Sequence, residues 1–264
     1  MRIRFAGLTD VGRSRTNNED AFHISRVAPL CAVADGMGGH NAGEVASDLA
    51  LRTLRAIYDE SPDDQEVATL MATLRDGWPF ERRAPEHDEE RRLVEALVKA
   101  NAVIHAIAQR ESSHRGMGTT MVAASFIETG IYLAHVGDSR AYRLRDGRLE
   151  RITRDHSLAD EYLQMGILRE DELPQFPYKN VITRALGLAP VIEPAVRFTS
   201  LQRGDLFLLC TDGLTDPLDE ATIARVVSGD RSDLNEMCRR LVDAANAAGG
   251  PDNITVVVAS VVER

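Results

Sequence analysis

Four aspartates stand beside short apolar runs. Asp35 follows Ala32-Val33-Ala34, Asp138 follows Ile131 to Gly137, Asp212 follows Leu206 to Thr211, and Asp252 lies just before Ile254 to Val258. Each run is bounded by a turn signal and reads as a buried strand that delivers a carboxylate to the rim of a sheet. Carboxylates gathered at one sheet edge repel each other and are costly to desolvate, and cations relieve both costs. Hard oxygen donors without cysteine or paired histidine point to Mg²⁺ or Mn²⁺ and away from zinc.

The stretch from Ala32 to Glu44 carries Asp35-Gly36-Met37-Gly38-Gly39-His40, and Val45, Leu49, Leu54 and Ile57 follow at helical spacing. It predicts a strand, a glycine turn and a helix over Glu44 to Tyr58. Such a turn can also cradle a phosphate, although neither G-x-G-x-x-G nor G-x-x-x-x-G-K-[ST] is present. A tight turn with a solvated aspartate is the plainer alternative for this stretch taken alone.

These residues need a scaffold, and 264 residues with 44% hydrophobic and 27% charged content supply one large domain without a linker or low-complexity break. The net charge of −10 argues against a nucleic-acid or anionic-membrane surface. No apolar stretch approaches the roughly 18 residues of a membrane span, and no leader pattern precedes Arg2, so the expectation is a cytoplasmic protein. A monomer is expected as well. Cys31, Cys210 and Cys238 lack metal spacing and are expected as reduced core residues.

Alternation predicts strands at Arg2 to Thr9 and Ala21 to Val27, flanking a polar loop with Arg15, Glu19 and Asp20. Val67, Leu70, Met71 and Leu74 mark a short helix, Gly77 to His87 an exposed loop, and Glu89 to Gln109 a long amphipathic helix. His105 and His114 have no partner spaced for them and read as rim histidines. Strands follow at Met121 to Ile127, Ile131 to Val136, Ser139 to Leu144 and Arg148 to Ile152, with the Asp146-Gly147 turn closing a hairpin. Periodicity weakens over about 154–186, apart from a short helix at Leu158 to Met165, which predicts a small excursion beside the core. Strands at Phe198 to Leu201 and Leu206 to Thr211, helices at Asp219 to Val227 and Ser232 to Ala247, and a last strand complete an α+β domain without βαβ alternation.

Six motifs occur in one order: Arg15-x-x-Asn18-Glu19-Asp20, Asp35-Gly36-Met37-Gly38-Gly39-His40, Gly116-Met117-Gly118-Thr119-Thr120, Gly137-Asp138-Ser139-Arg140, Thr211-Asp212-Gly213 and Asp252-Asn253. Together they resemble the metal-dependent protein phosphatases, the type 2C serine/threonine phosphatases in their bacterial form, from about Gly7 to Val258. The resemblance implies a β-sandwich of two antiparallel sheets with helix pairs on both outer faces, and a binuclear Mg²⁺ or Mn²⁺ centre at one end. Carried over by position, Asp35 bridges the two metals and the Gly36 carbonyl binds one of them, while Asp212 and Asp252 hold the other. Glu19 acts on the first directly or through water, with Asp20 behind it, and Arg15 grips the substrate phosphate. Asp138 with Asp212 forms a third, weaker metal site, and Arg154 to Asn180 is the variable flap.

The implied reaction is in-line hydrolysis of a phosphoserine or phosphothreonine monoester by a hydroxide bridging two metals roughly 3.5–4 Å apart, without a phosphoenzyme. A phosphomonoester dianion repels a nucleophile unless cations screen it, and the planar fork of Arg15 suits two phosphate oxygens. Met37 stands where eukaryotic relatives carry a histidine proposed as general acid, so His40 and a metal-bound water compete for that role. A cysteine-based phosphatase is excluded, because Met37, Asp216 and Ala244 occupy the position six residues after each cysteine, where that class needs arginine. A metal-dependent binding module on the same fold is the remaining alternative. The expected partners are phosphorylated proteins and an opposing serine/threonine kinase.

Overall fold

The computed structural model describes residues 2–39, 42–59, 65–73, 79–80 and 83–263. The chain begins with β1 (Arg2–Asp10), β2 (Asp20–Ile24) and β3 (Leu30–Met37), followed by α1 (Ala42–Tyr58), α2 (Gln65–Thr73) and α3 (Asp88–Arg110). Next come β4 (Gly118–Thr119), β5 (Met121–Phe126), β6 (Gly130–Val136), β7 (Arg140–Arg145), β8 (Arg148–Arg151) and α4 (Leu158–Gln164). The chain closes with β9 (Ala195–Ser200), β10 (Leu206–Cys210), α5 (Asp212–Thr215), α6 (Glu220–Val227), α7 (Leu234–Ala247) and β11 (Ile254–Glu263). One antiparallel sheet has the order β1-β11-β10-β7-β8 and the other β2-β3-β5-β6-β9, with β4 adding to β3.

Alternate residues of the central strands serve two different cores, which explains why these runs are apolar throughout instead of alternating with polar residues. In β3, Leu30, Ala32 and Ala34 pack under α1 and α3, while Cys31 and Val33 face the opposite sheet. In β10, Leu206, Leu208 and Cys210 lie with residues of α6 and α7, while Phe207 and Leu209 enter the inter-sheet core. Phe126 anchors that middle layer, meeting Phe5 and Phe207 edge-to-face at 5.6 Å each. The result is the expected α+β sandwich with helices on both outer faces. All three cysteines are buried free thiols.

Four elements depart from the sequence expectation. β3 does not stop at Ala34: it runs through Asp35 and Gly36 to Met37, because Gly36 and Met37 pair with Thr119 and Gly118 of β4. β11 extends to Glu263, and β9 begins at Ala195, each lengthened by a neighbour that satisfies its backbone, β1 and β6 respectively. Asp212 opens the single-turn helix α5, too short to show periodicity. Leu74 and parts of the Gly77 to His87 loop lie outside the described residues. Among the described residues no helix is long and apolar enough to cross a membrane.

Between β8 and β9 the chain leaves the sandwich, with α4 capped by the Ser157 hydroxyl on the Asp160 amide. The two ends of this excursion meet each other: Ser157 bridges to Ile182, the Leu158 amide donates to the Val181 carbonyl at 2.9 Å, and the Thr183 amide donates to the His156 carbonyl at 2.8 Å. Its outer part leaves Met165, Ile167, Tyr178 and Val181 exposed.

Candidate metal centre

The acidic residues converge because both sheets contribute strand ends to one end of the sandwich. Asp20 and Asp35 are directly opposite across the β2–β3 ladder, which places their side chains on the same face. Asp35 is held by its own backbone: its carbonyl accepts the Thr119 hydroxyl at 2.8 Å and the Thr120 amide at 2.8 Å, and its amide donates to the Thr120 hydroxyl at 3.2 Å. The Thr120 hydroxyl continues to the Ser139 hydroxyl at 2.7 Å, tying Asp35 to the turn that carries Asp138. From the other sheet, the Thr211 hydroxyl donates to Asp20 at 2.8 Å and accepts the Thr255 amide at 3.0 Å, so Asp212 is anchored to the same cluster. Gly36 has to be glycine, since a Cβ there would run into the Gly43 carbonyl and the Glu19 carbonyl.

Asp252 and Glu19 are brought in by Asn253, a role that sequence reasoning did not assign. The buried Asn253 side chain accepts the Glu19 amide at 2.8 Å and donates to the Val11 carbonyl at 3.0 Å and the Asn17 carbonyl at 2.9 Å, clamping the Arg15 loop to the start of β11. Its signal was an amide beside the Asp252 carboxylate. Arg15 lies at the mouth, paired with Asp252 at 2.7 Å, its side chain 53% exposed. His40 lies outside the described residues. His105 bonds the Gly187 carbonyl and His114 pairs with Glu111, so neither joins the site.

Crowding makes the cluster reluctant to ionise. Burial pushes the Asp20 carboxyl up to about 7 against the hydrogen bonds from Thr255 and Thr211, with Asp212 and Asp252 adding repulsion. Burial, then Asp212 and Asp155, push Asp138 up to about 7, and burial with Asp216 and Asp252 pushes Asp212 up to about 6. Asp35 is raised well above the usual carboxylate range by burial and by Asp20, Asp212, Asp138 and Asp252. Burial also raises Glu19, against the lowering effect of Arg15.

Asp138 does not pair with Arg140. That guanidinium is taken by Asp155 at 2.7 Å, and Arg151 reaches the same carboxylate. One oxygen each of Asp138 and Asp212 is buried without a hydrogen-bond partner. Among the described residues no three Asp, Glu, His or Cys side chains already converge as a ligand set for one ion. Mg²⁺ asks for less, since it keeps several waters and takes one or two carboxylates. Orphaned carboxylate oxygens and raised acid pKa values are what a divalent cation corrects, so the residues present fit such ions.

A two-sheet α+β sandwich with a carboxylate cluster of this kind at one end places the chain among metal-dependent phosphatases. Residues 11–254 match the model of the family described as protein phosphatase 2C. The serine/threonine protein phosphatase PstP of Mycobacterium tuberculosis is 37% identical over 261 residues, which cover 99% of this chain and 45% of that protein. The chain thus spans about half the length of that relative. The serine/threonine phosphatase stp of Listeria innocua is 36% identical over 95% of this chain and 92% of its own length. Among solved structures, a Streptococcus agalactiae serine/threonine phosphatase superposes with a TM-score of 0.84 at 32% identity, covering 99% of this chain and 100% of that one. The PstP catalytic domain in complex with two manganese ions superposes with a TM-score of 0.79 at 36% identity, covering 99% of each chain. The chain belongs to the protein phosphatase 2C family, the serine/threonine protein phosphatases that use Mg²⁺ or Mn²⁺.

Proposed function

We propose that this chain hydrolyses phosphoserine and phosphothreonine monoesters on proteins by direct in-line attack of water-derived hydroxide, reversing a serine/threonine kinase as a cytoplasmic monomer. The observation that carries the reading is the cluster of Asp20, Asp35, Asp138 and Asp212 at one end of the sandwich, each raised in pKa by burial and by its neighbours. Asp35 would be shared between two ions, the Gly36 carbonyl and Glu19 would serve one, and Asp212 and Asp252 the other. Asp20 stands behind them, fixed by Thr211. When bound, the ion pair supplies positive charge beside the phosphate dianion and acidifies water at neutral pH.

The chain's own groups account for the rest. Arg15 faces solvent beside Asp252 and uses one of its five donors there, leaving the fork able to turn to a phosphate. No side chain is needed as a covalent nucleophile, and the cysteines are unsuited to it: burial pushes the Cys210 and Cys238 thiols up to about 12 and raises Cys31 as well. His40 or a water would donate the proton to the leaving alkoxide. Asp138, with its unpartnered oxygen near Asp212, would hold the third, weakly bound ion. The flap over about 154–186, which exposes Met165, Ile167 and Tyr178, selects phosphoprotein substrates.

The test is phosphate release from a phosphothreonine peptide with Mn²⁺, with excess chelator, and after Mn²⁺ is restored. Turnover should vanish in chelator and return with the metal. Full activity in excess chelator contradicts the proposal.

A further inference from the structure

The turn carrying Asp138 is gripped from two sides, and only one of them belongs to the carboxylate cluster. Below it, Gly137 has φ +103°, and a Cβ there would collide with Thr120, so the turn rests directly on the residue that also holds Asp35. From the other side comes His156, at the root of the flap. The Gly137 amide donates to His156 Nδ1 at 3.1 Å, and the His156 amide donates to the Gly137 carbonyl at 2.9 Å. The His156 carbonyl in turn accepts the Thr183 amide at 2.8 Å, where the chain returns from the flap. Both polar groups of Gly137 are therefore spent on one residue, and that residue joins the two ends of the excursion.

The side chain is built for this task. His156 is 9% exposed, and its ring stacks on His135 at 4.8 Å with 13° between planes. His135 is fixed by Nε2 bonding to the Arg154 carbonyl at 2.6 Å. An imidazole that accepts at Nδ1 carries its proton on Nε2 alone, so stacking and hydrogen bonding select one tautomer and one ring orientation. The neighbouring carboxylate of Asp155 is occupied by Arg140 and Arg151, which ties the start of β7, just after the turn, to the end of β8. Asp138 itself has a buried oxygen with no protein partner, so its position depends on the backbone of the turn.

We propose that His156 is a positioning residue: its Nδ1 lone pair fixes the Gly137 amide and thereby aims the Asp138 carboxylate from the root of the flap. The ion-related part of this inference rests on the metal-dependent reading above, whereas the clasp itself does not.

Three variants separate acceptor from bulk. His156→Phe keeps an aromatic ring against His135 and removes the acceptor. His156→Asn offers Oδ1 close to the place of Nδ1, and His156→Ala removes both. In chelator-treated protein, amide hydrogen exchange at Gly137 should accelerate at least tenfold in His156→Phe and stay within threefold of wild type in His156→Asn. With Mn²⁺, kcat for a small aryl phosphate should fall at least tenfold in His156→Phe, the half-activating Mn²⁺ concentration should rise at least fivefold, and KM should change less than twofold. His156→Asn should recover kcat to within threefold. If His156→Phe does not fold, His156→Ala against His156→Asn gives the same contrast.

Unchanged Gly137 exchange in the acceptor-less variant, or equal defects in the Asn and acceptor-less variants, overturns the proposal. Altered exchange with an unshifted Mn²⁺ activation curve overturns the link to Asp138. Failure of the phosphatase reading is recognised separately, as wild-type protein without metal-dependent turnover and with the exchange contrast intact.

Discussion

Asp138→Asn should make the metal-free protein less sensitive to pH. Burial and the neighbouring Asp212 and Asp155 raise the Asp138 carboxyl from 3.8 to about 7 in the fold. A raised acid binds more protons in the native state than in the unfolded chain between those two values, so the stability of wild type falls as pH rises through that window. Each pH unit is worth about 1.4 kcal/mol, which makes the whole penalty about 4 kcal/mol and the part between pH 5 and 7 about 3 kcal/mol. Asparagine has no such dependence. Its buried amide costs about 1–3 kcal/mol if it finds no partner, but that cost is the same at every pH. The Tm of Asp138→Asn relative to wild type should therefore rise by roughly 6–12 °C on moving from pH 5 to pH 7.5, at about 2–4 °C per kcal/mol for a chain of this size. Thermal unfolding in excess chelator at both pH values measures it. A Tm difference that is the same at pH 5 and pH 7.5 refutes the reasoning.

Other substitutions probe the remaining parts. Arg15→Ala removes a charged hydrogen-bond donor worth about 1.5–3 kcal/mol and should lower kcat/KM for a phosphopeptide about 10- to 150-fold with little change in Mn²⁺ affinity; a change below threefold counts against phosphate contact. Asn253→Ala leaves the Glu19 amide and the Val11 and Asn17 carbonyls without their shared partner, and should cost about 2–4 kcal/mol in urea unfolding and weaken Mn²⁺ binding together; a loss of stability below 1 kcal/mol would show that the clamp is dispensable. Paired substitution of the exposed Ile167 and Tyr178 by alanine should reduce turnover of a phosphoprotein several-fold while leaving hydrolysis of a small aryl phosphate within twofold. Equal losses on both substrates contradict a recognition role for the flap.

The aspartates were legible because each sits where an apolar run meets a turn, and an apolar run is visible without knowing its partner. Their exact placement was not. Asp35 lies inside β3 because β4, more than 80 residues later, continues the ladder past it, and pairing at that separation leaves no local trace. The single-turn α5 at Asp212 spans barely one helical period, too little to show a repeat, and is set by the Thr211–Thr255 contacts between strands. Asn253 and His156 escaped for the same reason: each acts through backbone groups far away in the chain, Glu19 and Gly137, and its residue type alone does not announce that. That Arg140 is not free to pair with Asp138 likewise depends on Asp155, which arrives only after the β7–β8 hairpin returns.

Calorimetric titration of Mn²⁺ into chelator-stripped protein, with Asp35→Asn run beside wild type, tests the central claim most directly. Asp35 is crowded by Asp20, Asp212, Asp138 and Asp252, and on this account it is shared by the two tightly held ions. Wild type should bind two ions tightly, and Asp35→Asn should lose both while its thermal transition in chelator remains cooperative and no lower. Two tight ions in folded Asp35→Asn would contradict the account.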